Sequence, residues 1–79
     1  MLLKIRVDRN LRNLFDIVEQ ARGKMYLEVE KEYCIDLRKE EYQKIMKQKM
    51  DAKELFCFHV YHPKDYFNLV YYHMGLNLN

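Results

Sequence analysis

The side chains of this sequence best suited to chemistry are three histidines, His59, His62 and His73, and two cysteines, Cys34 and Cys57. Imidazole can carry a phosphoryl group or ligate a metal, and a thiolate can act as nucleophile, redox group or metal ligand. Cys34, Cys57 and His59 fall on one face of the predicted sheet, an arrangement that raises zinc. Structural zinc takes four ligands, usually with closely spaced cysteine pairs, and that spacing is absent. No metal and no cofactor are therefore expected. His62 precedes Pro63 and reads as a helix cap; phosphoryl transfer through it would have only Lys64 nearby to hold the anion. His73 lies on a helix flank. No Cys/His/Asp arrangement singles out a nucleophilic cysteine, so no catalytic residue is assigned and the chain is not read as an enzyme. The sequence also contains no Ser, Thr or Trp. That excludes an alcohol nucleophile other than tyrosine, and a Walker-type phosphate loop, which needs Ser or Thr on its magnesium.

The elements that would position these groups follow from periodicity. Leu3, Ile5 and Val7 alternate with Lys4 and Arg6, predicting a strand over 2–7. Asp8 and Asn10 offer helix caps, Leu11, Leu14, Phe15, Val18 and Ala21 recur at helical spacing, and Gly23 supplies a left-handed stop, predicting a helix over 11–22. Met25, Leu27 and Val29, then Tyr33, Ile35 and Leu37, alternate with polar residues across a break at Lys31 and Glu32, predicting a hairpin. Tyr42, Ile45, Met46 and Met50 return to helical spacing, with Glu40 and Glu41 placed in the first turn. Phe56, Phe58 and Val60 alternate with Cys57, His59 and Tyr61 in a fourth strand. Pro63 opens a last helix with Phe67, Val70, Tyr71 and Met74 as its inward stripe and Gly75 as its stop. Leu76 to Asn79 reads as a short tail. Helical stripes need a sheet face to bury against, so the expectation is one α+β domain over 1–79. It is an open-faced sandwich in the order β-α-β-β-α-β-α, with a four-stranded antiparallel sheet and three helices on one face.

Composition sets further bounds. Seventy-nine residues allow one core, and 49% hydrophobic content with seven Tyr and four Phe argues against disorder. A formal charge of +2 gives no reason to invoke nucleic acid or an anionic membrane. Lys4 and Arg6 interrupt the apolar start, so no signal peptide is read. No stretch approaches the roughly 20 apolar residues of a membrane span. A cytoplasmic location with reduced thiols is the expectation.

The order and spacing resemble the histidine phosphocarrier family, HPr, from the strand at Leu3 to the helix ending at Met74. The likeness is densest at Ile17-Val18-Glu19-Gln20-Ala21-Arg22-Gly23, which is similar to the end of that family's first helix and the glycine before its second strand. A ferredoxin-like sandwich is the rival fold. In the HPr family the phosphoryl group sits on a histidine at the N-terminus of the first helix, with an arginine two residues later. Counting back from Gly23 places Asn10 at the histidine and Arg12 at the arginine, and Asn13 replaces the proline that follows. Asparagine has no imidazole nitrogen, so the resemblance implies a phosphate-site remnant without phosphohistidine chemistry. Gram-positive members carry a regulatory serine near the start of the second helix, the position of Glu40 or Glu41 here; acidic residues there resemble a permanent phosphate or simply stabilise the helix.

The leading expectation is thus a bacterial HPr-like domain related to the sugar phosphotransferase system, acting as a protein-binding or regulatory module through a protein partner or as a homodimer. The uncovered sheet face, with Tyr26, Cys57, His59 and Tyr61 among Lys4, Arg6, Glu28 and Glu30, is the candidate interface. The alternatives are an active phosphocarrier using a displaced histidine, and a small nucleic-acid-binding or phage-type protein using the lysines at 44, 47, 49 and 53, which otherwise read as a solvated face.

Overall fold

The computed structural model describes residues 1–75, so the tail read at Leu76 to Asn79 lies outside the described residues. The elements are β1 (Leu2–Arg6), α1 (Leu11–Glu19), β2 (Met25–Glu30), β3 (Tyr33–Asp36), α2 (Gln43–Asp51), β4 (Leu55–Val60) and α3 (Pro63–His73). The strands form one antiparallel sheet in the order β1-β4-β2-β3. Ile5, Leu27, Ile35, Phe56 and Phe58 from the strands join Leu14 and Val18 of α1, Met46 of α2 and Leu69 of α3 in a single buried cluster. All three helices therefore cover one face, and the expected α+β open-faced sandwich is the fold of this chain. Burying such side chains stabilises by roughly 1.5–3 kcal/mol each, so this layer dominates folding.

The rotation of α3 departs from expectation. Asp65 is 1% exposed. Its carboxylate accepts from the backbone N–H of Arg22 at 2.9 and 3.0 Å and from that of Gly23 at 2.9 Å. This latch turns Asp65 and Leu69 inward. One turn on, the Tyr72 hydroxyl donates to the Arg9 carbonyl at 2.8 Å. Of the stripe read as inward, Phe67, Tyr71 and Met74 instead face solvent, and only Val70 is half-buried. The two candidate stripes lie on nearly opposite sides of the helix, and hydrogen bonds to a buried carboxylate outweigh a gain in apolar area that the outer stripe would share with solvent.

Gly23 is also corrected. The residues with left-handed backbone among those described are Asn10, Glu32, Lys53 and Gly75, not Gly23. A Cβ at Gly23 would stand 3.0 Å from the Cβ of His62. The glycine is thus needed for the close approach of the α1–β2 link to the start of α3, beside the Asp65 latch. Helix α1 ends at Glu19, three residues before the expected 22, because the chain turns with Ala21 N–H on the Val18 carbonyl.

Glu40 and Glu41 lie ahead of α2 rather than in its first turn. The amides of Lys39 and Glu40 both bond the Asp36 carbonyl, at 3.1 and 3.0 Å, so the chain closes a turn before the helix begins. Helix α2 ends on a left-handed Lys53, whose N–H reaches the Met50 carbonyl while that of Glu54 reaches Lys49, both at 3.0 Å. This is the pairing of a Schellman stop, made here without glycine. It brings Glu54 within 3.3 Å of the Lys49 ammonium, and that buried side chain lies 5.8 Å from the centre of the Phe56 ring. Lys49 is therefore not part of a solvated basic face.

Candidate functional site

Two places gather groups that can do chemistry. The first is the uncovered face of the sheet. Strand alternation turns Cys57 and His59 of β4 away from the helices, and the register pairs Lys4 with Cys57, His59 with Tyr26, and Cys34 with Glu28. Extending the β2–β4 register by one residue sets Glu28 beside Cys57. The result is a lattice in which Glu28, Cys57 and His59 bring a carboxylate oxygen, a sulfur and a ring nitrogen within 4.8 Å of one another.

The environment of these groups is unusual for an open face. His59 Nε2 stands 3.6 Å from Glu28 Oε2, just beyond hydrogen-bond reach. That nitrogen is shielded from solvent and has no hydrogen-bond partner. The Cys57 thiol beside it, followed by His59, holds the Glu28 carboxyl below its ordinary value. Burial, followed by the Glu28 carboxylate, pushes the Cys57 thiol up, so it is protonated at neutral pH and is not an activated nucleophile. Tyr26 and Tyr61 meet edge to face at 5.8 Å on the same side. The four residues expected to form an interface, Tyr26, Cys57, His59 and Tyr61, are thus brought together.

Cys34 is separated from this group. It stands beyond Glu28, so two strand spacings, about 9.5 Å, divide it from Cys57, more than a disulfide spans. Both cysteines are free thiols. The sequence grouping of Cys34, Cys57 and His59 therefore loses Cys34 and gains Glu28, which reads in sequence only as one of several flanking charges. The register that selects Glu28 pairs β2 with β4 across the intervening β3 and α2, so no local signal encodes it.

The second place is a cleft of about 520 Å³ lined by Arg6, Asp8, Arg9, Asn10, Tyr72, His73 and Gly75. Asn10 precedes α1 in a left-handed conformation, φ 58°, and its side chain makes no cap bond. Its carbonyl accepts from Asn13 and Leu14. Tyr72 is pushed up to about 12, chiefly by burial and secondarily by the Asp8 carboxylate, so its hydroxyl keeps its proton. Asn10 is placed at this cleft, whereas Arg12 is exposed and is not among the lining residues. The arginines that do line it, Arg6 and Arg9, come from the end of β1 and the link to α1. His73 joins them because the Tyr72–Arg9 bond draws the end of α3 onto that link.

The remaining candidates stay apart. His62 Nδ1 accepts the Lys64 N–H at 3.1 Å and so caps α3, as expected. Glu40 and Glu41 are exposed in the turn before α2. No described helix is long and apolar enough to cross a membrane. No protein-family model, curated protein or solved structure matches the chain.

Proposed function

We propose that this domain is an HPr-like scaffold that works by protein binding rather than phosphoryl transfer, and that its open sheet face pairs with a second copy of the chain. The observation that carries this reading is the distribution of charge and apolar surface on that face. Lys4 and Arg6 lie on the β1 side, while Glu28, Glu30 and Asp36 lie on the β2–β3 side, with Cys57 and His59 on β4, and Tyr61 just past its end, between them. A two-fold axis parallel to the strands sets the basic side of one copy over the acidic side of the other. Leu2, Leu55 and Tyr61, each more than half exposed, supply apolar area for such a contact. The strand and helix order, and an asparagine at the position the resemblance maps to the phosphate-carrying histidine, support a scaffold that has given up the reaction. Size-exclusion chromatography with light scattering tests the pairing. A dimer that weakens with added salt and dissociates in Tyr61→Glu is expected; a monomer at high concentration overturns it.

A second reading has one specific observation in its favour. His73 lines the same cleft as Asn10, Arg6 and Arg9, so a displaced histidine is available where the sequence offered only His62, whose Nδ1 is occupied as a cap. In this reading a phosphohistidine donor passes its phosphoryl group to a ring nitrogen of His73, with the arginines holding the anion. Incubation with enzyme I and labelled phosphoenolpyruvate would give an acid-labile phosphoprotein that His73→Gln abolishes. No label on the wild-type chain removes this reading.

A further inference from the structure

We infer that Glu28, Cys57 and His59 form a binding site for a divalent transition-metal ion, with zinc the best fit, on the open face of the sheet. One carboxylate oxygen, one sulfur and one ring nitrogen already lie within 4.8 Å of one another. In a tetrahedral zinc site with ordinary bond lengths these atoms stand about 3.3–3.8 Å apart, so the side chains need to draw in by about 1 Å. Small side-chain rotations achieve this, since all three project from paired strands whose backbone need not move. The placement is also rigid where it matters: Cys57 and His59 are alternate residues of the central strand β4, and Glu28 is on its hydrogen-bonded neighbour.

The donor set argues for the class of ion. Calcium and magnesium prefer all-oxygen surroundings, whereas a thiolate, an imidazole and one carboxylate suit zinc and its first-row neighbours. His59 Nε2 is shielded from water and lacks a hydrogen-bond partner, with Glu28 Oε2 the neighbour at 3.6 Å, so the nitrogen is available to a metal held between them. Binding proceeds with loss of the Cys57 thiol proton to solvent as the sulfur–metal bond forms. Glu28 is already ionised, held so by its neighbours. The bound site then carries two negative ligands on a dication and is electrically neutral. Three protein ligands leave the fourth position to water. Lys4, paired with Cys57 on the other side, opposes the cation and sets a limit on affinity. Sequence spacing hides this site because its third ligand arrives across the sheet.

The site does not rest on pairing of the face, because all its ligands come from one chain. Cobalt(II) titrated into the wild-type protein reads it directly. One equivalent should bind with the thiolate-to-cobalt absorption and the visible bands of tetrahedral coordination, and zinc should displace it. Cys34→Ser should bind as wild type, and Lys4→Gln should bind more tightly. Cys57→Ala should lose the thiolate band, and His59→Gln and Glu28→Gln should each weaken binding by at least about tenfold. Affinity should fall as pH is lowered, because the thiol proton must leave and the imidazole must be unprotonated for the metal to bind. Circular dichroism checks that each variant is folded, and His59→Gln decides the matter should Cys57→Ala fail to fold. No saturable binding, or binding that survives both Cys57→Ala and His59→Gln, or loss of binding in Cys34→Ser, overturns the site whatever the oligomeric state.

Discussion

Strand β4 presents two molecules' worth of chemistry on alternate residues. Its inward residues, Phe56, Phe58 and Val60, are wholly buried against three helices, while Cys57 and His59, followed by Tyr61 just past the strand, look out over a face of mixed charge. The inner positions are all apolar and interchangeable in kind. The outer positions each differ in chemistry, and their neighbours on β1 and β2 are charged. Because successive side chains of a strand never share a face, one segment can specify the core and carry a reactive cluster without either constraining the other. The two sets should therefore separate in mutational cost.

Phe58→Ala should have the largest effect. It removes a ring from the centre of the cluster, leaving a cavity worth about 3–5 kcal/mol. A domain of this size has roughly 4–12 kcal/mol of total stability, so the variant should unfold at much lower urea or lose its cooperative transition altogether. A loss below about 1 kcal/mol would break the assignment of that face to stability. Asp65→Ala comes next. It leaves the part-buried amides of Arg22 and Gly23 without their acceptor and frees α3 to rotate, at a cost of about 2–4 kcal/mol by urea denaturation. Asp65→Asn, which keeps one acceptor oxygen, should cost less.

These two sites differ in how legible they were. Phe58 announces itself through strict alternation with Cys57 and His59, and the whole sheet can be read in the same way, because each strand packs only one face against the helices. Asp65 does not. At the first turn of a helix an acid has a sufficient local reason to be exposed, since it complements the helix dipole. Nothing near it in sequence points to amides 42 and 43 residues earlier. The same blind spot turned the α3 stripe outward and misread Gly23, whose partner His62 is equally remote. Of the outer cluster, Cys57 and His59 were legible as a pair two residues apart, and Glu28 was not, because cross-strand register is a property of the assembled sheet. The His73 cleft was hidden for a similar reason: its residues come from both ends of the chain.

Tyr72 gives a smaller effect with a distinctive pH signature. Its hydroxyl is raised in the folded protein from the ordinary 10.0 to about 12. Stabilisation from the protonated hydroxyl is therefore fully present below pH 10 and is lost as pH rises through about 12. Urea denaturation across that window should show a slope contributed by Tyr72 that approaches one proton and is missing in Tyr72→Phe. At neutral pH that substitution should cost about 1 kcal/mol, the worth of the bond to the Arg9 carbonyl. Equal alkaline slopes in the two proteins would mean that the Tyr72 hydroxyl is not buried beside Asp8 in solution.

The smallest effects belong to the outer face, and they test the contrast most strictly. Tyr61 is 64% exposed and touches Tyr26 edge to face. Its ring buries little area in the monomer, so truncating it to alanine should cost less than about 1 kcal/mol. A double-mutant cycle with Tyr26→Ala should return a coupling of about 0.5–1 kcal/mol, as for other edge-to-face pairs. The measurement belongs at concentrations where the chain is monomeric, since pairing of two copies would add interface energy to each single variant. A larger coupling in the monomer would mean that the outer face also holds the fold together. A coupling near zero, with binding of cobalt or of a second copy still sensitive to this face, would leave these aromatics to recognition alone.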